Sequence, residues 1–271
     1  MARNGRVDEV ALNASYRLSI ALALLMAAQS VLGLALPGQY RDLGYVRETW
    51  FGNDLVTLTA FLPVLVRGLV LTGQGSSVGR LLWMGSLGYA VYNDAFYLFG
   101  AALNPFFPLY VLAFLVSSLA LGLALWGTGA DELGAGSGAA ARTVGAYFLF
   151  VAAGLVVVWI GTWAAHVFAG RPTPVPPEAF RLIAAMDLTL MVPALATSGV
   201  LLWRRSPWGL VIGAIAGVQA SLYLLVLAVN AALFVALAIT KAPGEVPLWG
   251  ALWAVTTAAT VLLLLQAREN R

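Results

Sequence analysis

Eight times along this chain, apolar residues run for close to twenty positions with almost no charge, and proline, glycine or charged residues punctuate nearly every junction. A helix rising about 1.5 Å per residue needs about that length to cross a hydrocarbon core of about 30 Å. No water reaches backbone groups there, so a spanning segment must be a helix or part of a closed barrel. Barrel strands are only about 9–11 residues long and alternate in polarity. The runs at 15–36, 53–72, 81–103, 108–126, 143–168, 180–203, 208–230 and 247–266 are too long and too uniformly apolar for that. They predict an all-α polytopic membrane protein with about eight transmembrane helices. Composition agrees: 61% of residues are apolar and 10% charged, where a soluble domain carries about 25% charge.

The apolar run behind the basic stretch from Met1 to Arg17 resembles a secretory leader. Its length from Leu18 to Leu36 and the Pro37-Gly38 that follows favour a retained helix. Orientation follows from the Lys/Arg bias. With both termini in the cytoplasm, Arg3, Arg6, Arg17, Arg67, Arg80, Arg142, Arg204, Arg205, Arg268 and Arg271 lie inside, and Arg41, Arg47, Arg171, Arg181 and Lys241 lie outside. Fourteen arginines to a single lysine suggest a GC-rich, bacterial genome, and hence a plasma (inner) membrane location.

The chain also suggests an internal duplication. PLYVLAFLVSS from Pro108 aligns without gaps on PLWGALWAVTT from Pro247, and NDLVTL at Asn53 resembles MDLTLM at Met186, which sets Asp54 opposite Asp187. Trp83 and Trp208 open the third helix of each half, with Asn104 and Asn230 at similar distances beyond. The implied organisation is a first four-helix half at 1–127, a Gly/Ala/Ser-rich cytoplasmic linker at 128–142 and a second four-helix half at 143–271. Halves with an even number of helices share an orientation, which makes them parallel repeats about an axis along the membrane normal.

Charge inside hydrocarbon costs about 2.5–3.5 kcal/mol at a helix centre, so each buried ionisable group calls for a reason. Asp94, fourteen residues beyond Arg80, lies about 21 Å up its helix, in the outer third of the bilayer. Asp187, seventeen residues before Arg204, lies about 25 Å from the inner surface. Asp54 opens its helix near the outer face and His166 closes the fifth span there, so four titratable groups share a level. Tyr89, Asn93 and Tyr97 follow at four-residue spacing on one helix face, with Asp94 at its border. Together with Trp50, Asn53 and Trp163 these residues could line an outward-opening vestibule suited to a cation or amine.

Bland roles compete. Asp54 could cap its helix, Asp187 could pair with Arg181 or hydrogen-bond a neighbouring helix, and His166 could be an interfacial residue. Tryptophan and tyrosine near helix ends are commonly interface anchors. Asp94, neither terminal nor near a helical arginine, resists such readings most.

Much chemistry is excluded. With no cysteine there is no thiol catalysis, disulfide or thiolate metal site, and one histidine rules out a histidine-rich metal centre and bis-histidine haem ligation. The chain has no Walker loop, dinucleotide fingerprint or G-x-S-x-G elbow. It has no basic stripe for nucleic acid. No cofactor is expected. The expected partners are the lipid bilayer, a small solute or cation, and a possible membrane-protein partner. The leading reading is binding or transport of a small polar or cationic solute through an acidic vestibule near the outer leaflet. The alternatives are a non-catalytic membrane subunit of a larger complex and a membrane enzyme using aspartate acid–base chemistry.

Overall fold

The computed structural model describes residues 5–42, 44–134, 136, 138–239 and 244–267, all helical or irregular with no strand among them. In chain order the helices are α1 (Gly5–Ala35), α2 (Tyr45–Val56), α3 (Leu62–Gly73), α4 (Ser77–Gly100), α5 (Phe107–Gly127), the single turn α6 (Ala130–Leu133), α7 (Ala139–Ala169), α8 (Pro177–Met186), α9 (Val192–Trp203), α10 (Pro207–Ala236) and α11 (Glu245–Leu264). One π-helical turn, Thr57–Phe61, joins α2 to α3, and another, Asp187–Met191, joins α8 to α9. Each of those pairs is therefore one long, locally widened helix. Of the charges used for orientation, Arg3, Lys241, Arg268 and Arg271 lie outside the described residues, as do Ala135 and Ser137 of the expected linker.

Seven segments are long and apolar enough to cross a membrane: Arg6–Ala35, Val46–Gly73, Phe107–Gly127, Ala139–Ala169, Pro177–Trp203, Pro207–Ala236 and Glu245–Leu264. The helix outside that set is α4. It has the length, with 24 residues, but carries Arg80, Asn93, Asp94 and three tyrosines. Its position explains how it tolerates them: α4 packs against α3, α5 and α10, and nearly all of it from Gly85 to Ala95 is buried. A helix enclosed by other helices need not be apolar toward lipid.

The two widened helices share a succession of conformations 130 residues apart in sequence (57 to 187). Each π turn is followed by a proline, Pro63 and Pro193, six residues after its first residue. Proline lacks an N–H and its ring crowds the carbonyl four residues back, so a widened turn relieves both defects. Each helix then ends in the same turn. Ser76 N–H donates to Leu71 O (3.0 Å) and Gly75 N–H to Thr72 O (2.9 Å), while Ser206 N–H donates to Leu201 O (2.9 Å) and Arg205 N–H to Leu202 O (3.1 Å). The position immediately before the closing serine needs positive φ, taken by Gly75 (φ 82°) and by Arg205 (φ 55°). On this register Asp187 matches Thr57, and Asp54 lies three residues earlier, so the two aspartates are not equivalent in position.

Close helix approach depends on small residues, because lipid supplies no hydrophobic drive between helices. A Cβ on Gly85 of α4 would lie 2.6 Å from Val218 Cβ and 3.0 Å from the Ala214 carbonyl oxygen on α10. Polar ties add direction. Trp83 Nε1 donates to Ser19 Oγ (2.8 Å) and Ser15 Oγ to the Ala120 carbonyl (2.6 Å), fastening α1 to α4 and α5. The start of the expected linker is packed rather than free: Thr128, Ala130 and Leu133 are buried, and Glu132 lies 3.5 Å from Arg80.

Gly85→Val should lower stability by about 1–3 kcal/mol through overpacking at the α4–α10 contact. Gly122→Ala, where an added Cβ meets nothing within 4 Å, should be neutral or raise it by about 0.5–1 kcal/mol. Thermal unfolding in detergent micelles compares the two; equal effects would remove the α4–α10 contact from its central place.

Candidate functional site

Asp54 lies near the end of α2, fully buried, ten residues into a helix that runs on through the π turn. It is no helix cap. Its Oδ2 accepts from the Tyr40 hydroxyl at 2.5 Å and its Oδ1 from the Tyr97 hydroxyl at 2.9 Å. α1 passes directly over the carboxyl because residue 33 is glycine: a Cβ there would overlap Asp54 Oδ2 and the Tyr40 hydroxyl. The donors sit in an aromatic cage, with Tyr97 centred 4.7 Å from Trp50 and 5.2 Å from Tyr110. Tyr40, on the connection after α1, has its phenol pushed well above its ordinary value by burial and then by the Asp54 carboxyl, which keeps it a donor.

Asp187 begins the second π turn and is also buried. Tyr92 of α4 donates to its Oδ1 at 2.5 Å, and Trp159 Nε1 of α7 to its Oδ2 at 2.8 Å. The sequence allowed a bond to a neighbouring helix or a pair with Arg181; the hydrogen bonds are the outcome. Tyr92 packs in turn on Phe96 (5.2 Å) and Tyr223 (5.0 Å). Tyr92 and Trp159 escaped the sequence reading, which followed the 89–93–97 stripe. The available signal was the five-residue step from Tyr92 to Tyr97, which turns them about 140° apart on the helix and lets α4 serve two aspartates.

Asp94 differs from both. It is fully buried, and neither carboxyl oxygen has a hydrogen-bond partner among the described residues. The Ser117 hydroxyl of α5 bears on it, but donates to the Phe114 carbonyl at 3.1 Å. Beside it Tyr89 reaches Asn93 Oδ1 with a long 3.4 Å bond, and Asn93 Nδ2 finds no acceptor among the described residues. Buried polar atoms are nearly always hydrogen-bonded, so these exceptions call for an explanation. The stripe therefore divides: Tyr97 belongs to Asp54, while Tyr89 and Asn93 form a poorly satisfied pair.

An open cleft of about 630 Å³ lies between α2, the last turns of α4 and α8. Trp50, Phe96, Phe99, Asp42, Glu178 and Arg181 are among its walls. Asp42 is held by Trp50 Nε1 and the Ala102 N–H, both at 3.0 Å. Asp54, Asp94 and Asp187 are buried, and none of them lines this cleft. His166 does not join them. It is exposed at the end of α7, with Nδ1 donating to the Arg171 carbonyl at 2.8 Å, beyond α8 from the cleft. Among the described residues no group of three or more His, Cys, Asp or Glu side chains could hold a metal ion.

The cleft and the pairs are linked. Trp50 stacks on Tyr97, which donates to Asp54; Phe96 packs on Tyr92, which donates to Asp187. Each aromatic wall is thus backed by a tyrosine–aspartate pair.

Tyr97→Phe and Tyr92→Phe should each cost about 1–3 kcal/mol, leaving a buried carboxyl oxygen unpaired. Asp94→Asn should leave thermal stability within about 0.5 kcal/mol of the parent, because no good hydrogen bond is lost. A melting temperature as low for Asp94→Asn as for the tyrosine variants would mean that Asp94 has a structural partner. These contacts have to carry the functional reading by themselves, since no protein-family model matches the chain and no curated protein or solved structure is significantly similar to it.

Proposed function

We propose that this is a carrier or binding protein of the bacterial plasma membrane, with eight spans in two related four-helix halves and both termini cytoplasmic. In this reading α4 is the eighth span, and a small polar or cationic organic solute enters at the outer cleft. The observation that carries the reading is the cleft whose aromatic walls are backed by two tyrosine–aspartate pairs, one aspartate from each half. A cation seated there lies against the rings of Phe96 and Phe99, with the buried Trp50 behind them. Asp42 and Glu178 outnumber Arg181 at the walls, so the local charge also favours it. A volume of about 630 Å³ falls in the range of small-molecule sites.

The relation between the halves is supported by the shared order of π turn, proline and positive-φ turn at a constant sequence offset. Weak repeats of this kind, with ligand sites at the repeat interface, are common in carriers. π turns and prolines are also where helices bend. Bending at 187–191 would move α8 against the end of α4, altering the cleft and the Tyr92–Asp187 contact together. Asp94, buried with no hydrogen-bond partner among the described residues, is the carboxyl left available to exchange a proton or meet a cation.

Two measurements test this. In detergent, choline and tetraethylammonium should raise the melting temperature, with stabilisation approaching about 2.7 kcal/mol at 100 times the dissociation constant. Acetate and benzoate should not, and Phe96→Ala should abolish the cation effect while remaining folded. In proteoliposomes, uptake of the cation found to stabilise should fall at least about tenfold, or about 1.4 kcal/mol, in Asp94→Asn. Equal stabilisation by anions, or none by any cation, would overturn the proposed ligand class; unchanged uptake would remove Asp94 from the mechanism.

A further inference from the structure

On the far side of α8 from the cleft lies a second groove, about 460 Å³, between α7 and α8. Its lower walls are Trp159, Ile160, Phe180, Ala184 and Leu188, and its upper end carries His166, Thr173 and Arg181. Trp159 and His166 are seven residues apart on α7, so the groove extends about 10 Å along the helix. It is apolar at the depth of the chains and cationic or hydrogen-bonding toward the outer surface. Ile160 and Trp163 are about half exposed, at 46% and 47%, so the groove opens sideways to the bilayer.

Arg181 forms no ion pair and no hydrogen bond among the described residues. Glu178, one turn earlier, lines the outer cleft and is absent from this groove. His166 donates Nδ1–H to a backbone carbonyl, which leaves Nε2 as the ring's free acceptor when neutral. The charge and the shape fit one kind of occupant. We infer that this groove holds a single anionic phospholipid of the outer leaflet, its phosphate on the Arg181 guanidinium and an acyl chain against Trp159, Ile160 and Phe180. Guanidinium–phosphate pairing is strong because two N–H groups can meet two oxygens.

The groove shares Arg181 with the solute cleft but none of the cleft's other named walls, and although its outer-leaflet position rests on the proposed topology, it does not depend on carrier activity. It does touch the same network, because Trp159 at its base donates to Asp187. A lipid chain packed on the indole holds that donor in place.

The test is native mass spectrometry of the protein released from nanodiscs of equal phosphatidylglycerol and phosphatidylcholine. The intact protein should retain one phosphatidylglycerol in preference to phosphatidylcholine by at least about tenfold, or about 1.4 kcal/mol. Arg181→Gln should erase the preference, and Arg181→Lys should keep part of it. Ile160→Trp, a half-exposed position that fills the groove, should reduce retention of both lipids without lowering the melting temperature. Equal retention of the two lipids by the parent protein would overturn the anionic assignment. Retention unaffected by Ile160→Trp would place the lipid elsewhere and overturn the site.

Discussion

The architecture rests on the enclosure of one polar helix. Hydrocarbon offers no hydrogen bonds, so a helix carrying Asp94, Asn93 and three tyrosines among apolar helices is tolerated where those helices cover it and supply partners. α4 lies against α3, α5 and α10, and the glycine contact at Gly85 brings it to backbone distance from α10. Trp83 ties it to α1, Tyr97 to α2 and Tyr92 to the second π turn. The other long helices are long and apolar enough to cross a membrane, and these hydrogen bonds fix how α1, α2 and the second π turn sit against α4.

That arrangement divides three buried carboxyls into two kinds. Asp54 and Asp187 each accept two well-formed hydrogen bonds, from Tyr40 and Tyr97 in one case and Tyr92 and Trp159 in the other. Such satisfied groups rigidify and fix helix register. Asp94 has no hydrogen-bond partner among the described residues. A fold that meets the requirements of two carboxyls with four donors and leaves the third unmet carries a cost at that position, and costs of this kind concentrate where a protein acts.

Much of the fold is legible in the sequence. The eight apolar windows fall on the eight long helical segments, because membrane thickness and helix rise together fix a length that no strand shares. The site is only partly legible. The expectation that Asp54, Asp94 and Asp187 lie at one level follows from counting residues along a helix. Their separation into different sites does not, because it depends on the direction each side chain faces and on which helix lies opposite. Landmark alignment set Asp54 against Asp187, whereas the π turns and prolines give a register three residues different. Identity of residue type is a weak guide among helices built from leucine, alanine and valine; backbone conformation is a sharper one.

The sequence by itself determined that the chain is helical, that its helices are long and apolar enough to cross a membrane, and that a handful of polar residues in it must be accounted for. These follow from one-dimensional quantities: length of apolar run, spacing of charge, absence of cysteine. Only the tertiary structure decided that Tyr92 and Tyr97, five residues apart, serve aspartates on different helices, that Gly33 admits the Asp54 carboxyl, and that the open cleft is walled by Trp50 and Phe96 rather than by the aspartates. Partnership of that kind is a property of distances between segments remote in sequence, which helical periodicity alone cannot encode.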